Sequence, residues 1–217
     1  MTKIDFDIFL PDEFSSLETL VAGVDEVGRG CLFGPVVASA VVVPVSAMPQ
    51  LIKIGVKDSK QLSAKQRIEL ARQIKEIAKA YQISYASVRE IDRLNILHAS
   101  LLAMRRAVIK LKLQPEICLI DGKQIIPNLL ILQKNIIKGD QRSPVIAAAS
   151  ILAKVWRDEL IVRLSRKYPY YDLAMNKGYG TIKHRLALQK YGASSLHRMS
   201  FAPCQIEIQN STSRSKD

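Results

Sequence analysis

An α/β domain is predicted, with strands and helices interleaved along one chain and a helical part from about residue 168. Three observations carry that expectation. The run Val36-Val-Ala-Ser-Ala-Val-Val-Val43 is apolar on both faces, rich in β-branched residues and stopped by Pro44, as in a central strand. Ser63-Ala64-Lys65-Gln66 is a capping box ahead of Ile68, Ala71, Ile74 and Ala78 at helical spacing. Ile117 to Ile120 is a short apolar strand that runs into Asp121-Gly122.

The remaining elements follow in order. Residues 1–18 read as a lead-in. Leu20 to Val24 reads as a strand that delivers the chain to Asp25-Glu26. Gln82 to Arg89 alternates like a strand. Asn95 caps a helix expected to reach about Leu113, before Pro115. Ile131 to Ile137 is a further strand candidate. Ser143-Pro144 combines a hydroxyl N-cap with proline at the first helical position, and Val145 to Val155 is apolar nearly all round, so that helix is expected to be buried. Thr181 to Tyr191 reads as a last helix with Gly192 as its C-cap. The domain is expected over 19–203, followed by a polar tail over 204–217 that frays.

Composition narrows the class of function. The chain has 217 residues, 48% of them hydrophobic, so a sizeable core can form. Its formal charge is +12, and since residues 1–20 contribute −4, the rest carries +16. A balance of that sign and size points to a polyanion such as nucleic acid. Cys31, Cys118 and Cys204 are far apart, which argues against a disulfide framework or a zinc site. No basic-then-apolar leader and no apolar run of about 18 residues is present, so a cytoplasmic protein without membrane contact is expected. Neither a Gly-x-Ser-x-Gly elbow nor a nucleotide-binding P-loop occurs, which removes support from serine hydrolase and ATPase readings.

The chemistry concentrates in four pieces: Gly23-Val-Asp-Glu-Val-Gly-Arg-Gly30, Ile120-Asp121-Gly122, Lys138-Gly139-Asp140 and Lys177-Gly178-Tyr179. Asp25 and Glu26 are neighbours at a strand end. Adjacent strand residues point to opposite faces, so both can face one site only if the chain turns at once, as Gly28 and Gly30 permit. Asp121 also ends a strand, where ligands of open α/β sheets gather. A fourth carboxylate is either Asp140, three residues before the Ser143 cap, or Asp158, roughly 22 Å further along the helix. Asp158 has a ready i,i+4 partner in Lys154, so Asp140 is preferred.

Three or four carboxylates suit two hard divalent cations about 4 Å apart in phosphodiester cleavage. Glycines beside Arg29 let backbone groups approach a ribose, whose 2′-hydroxyl both donates and accepts. Tyr179, between Gly178 and Gly180, can lay its ring on a sugar or base. Thr181 opens a helix whose first turn carries Lys183, His184 and Arg185, a phosphate-friendly terminus. Asp58-Ser59-Lys60 offers another lysine. His98 reads as packed or capping, Trp156 as a packing residue, and His184 and His197 as too separated for a metal site.

Taken together and in order, these pieces closely resemble the bacterial type 2 ribonuclease H family, ribonuclease HII. Asn95-Ile-Leu-His-Ala99, Ala149-Ser-Ile-Leu-Ala-Lys-Val155 and His197-Arg-Met-Ser-Phe201 extend the match from about Val21 to Pro203. The resemblance implies an RNase H-like fold with a mixed central sheet flanked by helices and a helical C-terminal part. It implies cleavage of RNA in RNA–DNA hybrids, and incision 5′ of single ribonucleotides in duplex DNA that leaves 3′-hydroxyl and 5′-phosphate ends.

By position Asp25, Glu26, Asp121 and Asp140 match the family's metal carboxylates for two Mn²⁺ or Mg²⁺ ions. Gly28, Arg29 and Gly30 match its ribose-reading turn, and Tyr179 its junction tyrosine. Lys60 and Thr181 join the expected substrate-binding set. A monomer is expected, since one domain can supply the whole site. Asn176 departs from the family's usual histidine, and Trp156 from a smaller residue. The rival readings are a nucleic-acid binder without catalysis, which has little use for clustered carboxylates, and a DNA resolvase-like nuclease, which has little use for a 2′-hydroxyl reader.

Overall fold

Five strands form one mixed sheet in the order β3-β2-β1-β4-β5. They are β1 (Leu20–Val27), β2 (Val36–Pro44), β3 (Ala80–Ala86), β4 (Ile117–Asp121) and β5 (Leu132–Ile136). The computed structural model describes residues 16–205 together with Leu10 and Phe14. Most of the expected lead-in over 1–18, and nearly all of the tail over 204–217, lie outside the described residues. β1 pairs antiparallel with β2 and parallel with β4; β2–β3 is antiparallel and β4–β5 parallel. The C-terminal ends of β1, β3, β4 and β5 therefore share one edge of the sheet with the start of β2.

Helices cover both faces, which is why the central strands read as continuous apolar runs rather than as alternation. They are α1 (Met48–Lys53), α2 (Ala64–Ile77), α3 (Val88–Leu94), α4 (Ile96–Ile109), α5 (Gly139–Arg142), α6 (Pro144–Ser165), α7 (Leu173–Asn176) and α8 (Ile182–Tyr191). Val21, Val41, Val43, Ile117 and Leu119 pack with α1, α2 and α6 on one face. Ala22, Val24, Val36, Val42, Cys118 and Ile120 pack with α3 and α4 on the other. A third cluster of Leu32, Phe33, Ile161, Tyr171, Leu173 and Leu188 ties the C-terminal helices to the loop after β1. Each fully buried aliphatic side chain contributes about 1.5–3 kcal/mol.

α6 lies directly against the sheet at Gly23, where any Cβ would fall 2.2 Å from the Val145 main chain. That glycine is what lets the long helix seat directly on β1.

Local signals locate most elements. The Ser63 capping box forms, and Asn95 receives the Leu97 and His98 N–H groups at a left-handed φ of 67°. Several expectations need correction. β1 continues through Asp25 and Glu26 to Val27 instead of ending at Val24, because both acids stay paired with β2. β3 stops at Ala86, since Ser87 and Glu90 form a second capping box that starts α3, a signal present in the sequence and passed over. α4 ends at Ile109, four residues short of the expected Leu113. Ser143 occupies the N-cap of α6 with Pro144 at N1, yet its hydroxyl makes no cap bond.

Candidate active site

β1 carries Asp25 and Glu26 to the shared sheet edge on opposite faces. Asp25 lies on the α6 face with Val21, and Glu26 on the α4 face with Ala22 and Val24. No turn folds them together; the turn begins later, at Gly28. What joins them is Asp121, at the end of the adjacent parallel strand β4, close enough to raise the pKa of both. Asp140 arrives through α5, after Lys138 takes a left-handed φ of 56°. The Gly139 N–H donates to Asp121 Oδ1 at 2.7 Å, fixing α5 against β4. The structure thus brings all four acids to one place. Asp158 lies elsewhere, held by Lys154 at 2.9 Å and by Arg67 at 3.9 Å.

Burial and mutual repulsion set the electrostatics. Desolvation, then Glu26, Asp121 and Asp140, hold Asp25 well above the usual carboxylate range against a hydrogen bond from Ser150. Burial pushes Glu26 up to about 7, although Arg29 at 3.5 Å opposes it. Burial and Asp140 likewise raise Asp121, against the N–H groups of Gly139 and Asp140. A cluster whose charged form is disfavoured in this way gains most from added positive charge.

The Asp58-Ser59-Lys60 turn supplies part of that charge. Burial lowers the Lys60 pKa, but Asp140, Asp58 and Asp25 outweigh it and raise the pKa overall. Lys60 Nζ donates to Asp140 Oδ2 at 3.0 Å with its side chain still 77% exposed. Ser59 meets Ser150 of α6 at 3.1 Å, and Asp58 caps the Lys60 N–H and accepts from Gln141.

Hard oxygen donors fit a divalent cation by their chemistry. One further observation bears on the fit. Ser39 is the β2 partner of Asp25, and its Oγ is the buried side-chain polar atom without a hydrogen bond among the described residues. As the cross-strand partner it lies on the same sheet face as Asp25, a buried oxygen with unused hydrogen-bonding capacity on the carboxylate side of the sheet. Among the described residues no three His, Cys, Asp or Glu side chains already surround one ion position. Lys60 and Arg29 stand instead as counter-cations on Asp140 and Glu26.

Beside the acids, two turns are knitted together. Gly28 has φ +92°, and a Cβ there would meet Arg157 Nε at 2.2 Å, so this glycine is required by the fold. Gly30 has no left-handed φ and nothing within 4 Å of a Cβ, so the free protein gives no reason for a glycine there. The Leu32 N–H donates to Gly178 O at 2.8 Å, and Cys31 bridges Tyr179 main chain to main chain. Lys154 Nζ lies 5.5 Å from the centre of the Tyr179 ring, which is 40% exposed.

Two arginines hold these turns, and the sequence reading assigned neither. Arg157 and Arg198 are both 0% exposed. Arg157 donates to the carbonyls of Pro35, Lys177 and Phe33 at 3.2, 2.8 and 3.0 Å. Arg198 donates to those of Gly34, Arg29 and Gly28 at 3.0, 2.8 and 2.7 Å. The Gly28 and Arg29 carbonyls are therefore engaged, while the Arg29 and Gly30 N–H groups donate to no acceptor among the described residues.

α6 organises the whole arrangement from one stripe. Ser150 touches Asp25, Lys154 lies over Tyr179, and Arg157 braces both turns, at the i,i+4,i+7 spacing that shares a helix face.

His184 and His197, expected to be too separated for a metal site, meet each other Nε2 to Nε2 at 3.0 Å. A carbonyl only accepts, so His184 Nδ1 carries its proton toward Tyr179 O at 2.9 Å. The Ser194 N–H only donates, so His197 Nδ1 is bare and its Nε2–H donates to His184 Nε2. Burial lowers the pKa of both, that of His197 to about 4. His184 is thus a neutral brace for the Tyr179 turn and adds no cation to the start of α8, contrary to expectation. The Thr181 hydroxyl caps α8 by accepting the His184 N–H at 3.3 Å.

Asn176 is equally structural. It donates to Tyr171 O at 2.7 Å and accepts the Gly178 N–H at 2.8 Å, so it shapes the Lys177-Gly178 turn. Trp156 stacks on Tyr85 with ring centres 6.2 Å apart. His98 is exposed and bonded to its own cap, Asn95. All three cysteines are free and buried.

Comparison with known proteins adds to this geometry. A family model described as Ribonuclease HII matches residues 22–204. A protein named Ribonuclease HII from Trichormus variabilis is 62% identical over 196 residues, covering 90% of this chain and 87% of the relative. The crystal structure of the ribonuclease H2 from Pyrococcus horikoshii OT3 superposes with a TM-score of 0.76 at 28% identity, over 86% of this chain and 96% of that one. Bst-RNase HIII, solved in complex with Mn²⁺, shares the fold at a TM-score of 0.71 and 24% identity, over 87% of this chain and 68% of that one.

Proposed function

The chain belongs to the ribonuclease HII family, a metal-dependent endonuclease of RNA in RNA–DNA hybrids, and from that premise we propose that it also incises duplex DNA 5′ of a single embedded ribonucleotide, leaving 3′-hydroxyl and 5′-phosphate ends. The observation that carries this reading is one juxtaposition. Four acids with burial-raised or internally paired carboxyls stand beside a turn whose Arg29 and Gly30 N–H groups donate to no acceptor among the described residues.

Asp25, Glu26, Asp121 and Asp140 would hold two divalent ions, Mn²⁺ or Mg²⁺. When bound, the ions supply an activated water and neutralise the leaving oxygen. Lys60 and Arg29 pair with Asp140 and Glu26 in the free protein and offer their charge to phosphate oxygens of a substrate beside the carboxylates. The Arg29 and Gly30 N–H groups take the 2′-hydroxyl oxygen as acceptor, and the bare Gly30 leaves the ribose room to approach. Tyr179 packs its exposed ring face on the sugar that follows. Thr181 and the start of α8 receive a neighbouring phosphate. Every one of these groups comes from a single chain, so the protein works as a monomer.

The test is end-labelled duplex DNA with one ribonucleotide, run beside an all-DNA duplex and a full hybrid, with Mg²⁺, Mn²⁺ or chelator. Metal-dependent incision directly 5′ of the ribonucleotide, with the all-DNA duplex intact, is expected. Cleavage confined to the full hybrid would refute the junction reading. Asp121→Asn should lower turnover by at least about 10³-fold, roughly 4 kcal/mol, while hybrid binding persists.

A further inference from the structure

We propose that the groove along the outer edge of β3 docks the phosphate backbone of the substrate duplex, away from the bond that is cut. The groove has a volume of about 740 Å³ and runs between β3, α3 and α4, with Trp156 of α6 closing one wall. Four of its lining residues are cations: Arg89, Arg93, Arg106 and Lys110. Glu90 is its single acid, and it is already committed. Arg106 holds it at 2.7 and 3.1 Å, and its carboxylate also accepts the Ser87 N–H. Arg106 further donates to Tyr85 O, so it is fixed in place. Arg89, Arg93 and Lys110 are exposed and in no ion pair among the described residues. Three unengaged cations thus face solvent around a neutralised one.

The occupant follows from charge and place. The carboxylate cluster repels phosphates in the absence of ions, so affinity for a duplex has to come from surface elsewhere. Val27, next to Glu26, pairs with Val37, and Val37 pairs with Tyr85. Tyr85 therefore lies two strand spacings, about 10 Å, from the end of β1, at the same edge of the sheet. That separation is close to the about 12 Å width of a major groove, so one duplex can reach both. Tyr85 is 51% exposed and stacked on Trp156, giving the groove a flat aromatic floor beside the cations. The inference rests on the substrate being a duplex; it does not depend on where the duplex is cut.

Trp156 is the chain's single tryptophan, so its fluorescence reports on this groove alone. Wild-type protein and Arg89→Ala/Arg93→Ala/Lys110→Ala would be titrated with an all-DNA duplex and with one carrying a ribonucleotide, in chelator, across a range of salt. These are exposed positions, and an unchanged melting temperature would establish that the triple variant folds. Expected are a Trp156 signal that saturates with duplex and at least about tenfold weaker binding by the variant at low salt. Its slope of log K against log salt should be smaller by about 2–3, near one per lost phosphate contact. In cleavage the loss should fall on KM and not on kcat.

Equal affinity and equal salt slope in the two proteins would overturn the proposal. Retained duplex binding with lost binding to poly-glutamate would overturn it in favour of an acidic protein partner. Groove-dependent binding without incision at the ribonucleotide would uphold the docking site and refute the junction reading; incision with groove-independent binding would do the reverse.

Discussion

Asp25, Glu26, Asp121 and Asp140 crowd four acids at one sheet edge, where among the described residues the cations Lys60 and Arg29 offset them, whereas Arg157 and Arg198 are buried with six main-chain carbonyls as partners. Both regions bury charge. The first leaves it poorly compensated, and burial together with repulsion raises the pKa values of Asp25, Glu26 and Asp121. The second solvates it with protein dipoles, although burial still lowers Arg198 to about 10. The difference separates two tasks. An under-compensated cluster stores affinity for cations that come and go, while a saturated one fixes a shape. Two of the carbonyls that Arg198 holds belong to Gly28 and Arg29, so the fixed region gives the Gly28-Arg29-Gly30 turn its geometry.

Substitutions should divide the two regions by the sign of their effect on stability. Asp25→Asn should reduce cleavage by about 10³-fold or more, yet raise the melting temperature in chelator by about 2–4 °C, because the desolvation and repulsion of a buried carboxylate, about 1 kcal/mol, are relieved. A lowered melting temperature would mean that the cluster is not under-compensated. Arg198→Met should do the opposite to stability. It removes the guanidinium donors of the Gly34, Arg29 and Gly28 carbonyls, leaving Gly28 O only the Cys31 N–H at 3.3 Å, and should cost about 3 kcal/mol or more, measured by urea unfolding. Arg198→Lys should recover part of this and of the preference for lone ribonucleotides over full hybrids.

A pH series sharpens the comparison further. His184 and His197 are neutral in the folded chain, with pKa values below the usual 6.5. As pH falls below about 6.5 the unfolded chain takes up protons that folded His197 refuses until about pH 4. The contribution of His197 to stability, present at neutral pH, is therefore lost on acidification, by on the order of 2–3 kcal/mol between pH 7 and pH 4. Urea midpoints of wild type and of His197→Gln, measured across that window, should converge as pH falls. A constant gap would remove the pair from the account.

The smallest effect on stability is expected at Gly30. Gly30→Ala should leave folding within about 0.5 kcal/mol of wild type, since a Cβ there meets nothing, while slowing incision at a lone ribonucleotide about tenfold or more. Gly28→Ala should destabilise the fold itself, because its Cβ would meet Arg157 and its φ is left-handed. Equal loss of stability in both variants would make Gly30 a folding residue.

The candidate site was legible in the sequence wherever its chemistry is local. Asp25-Glu26, Asp121 and Asp140 could be picked out because each follows or precedes an apolar element with glycine beside it. The choice between Asp140 and Asp158 followed from helix rise and from the i,i+4 pairing with Lys154. The central strands, the Ser63 box and the Asn95 cap were equally local. The passed-over Ser87–Glu90 box was local too, and was missed by reading the alternation of β3 too far.

Composition and motif order alone determined the class of protein: one α/β domain, basic, with acids set at strand ends beside glycine turns. Tertiary structure alone decided that Asp25 and Glu26 stay on opposite faces with Asp121 joining them. It also decided that Arg198 reaches back about 170 positions to the turn it supports, and that His184 and His197 are a neutral pair. The physical reason is range. A cap, a turn or a helical period is written within a few residues, but the partner of a buried charge is whichever carbonyl the packing brings near.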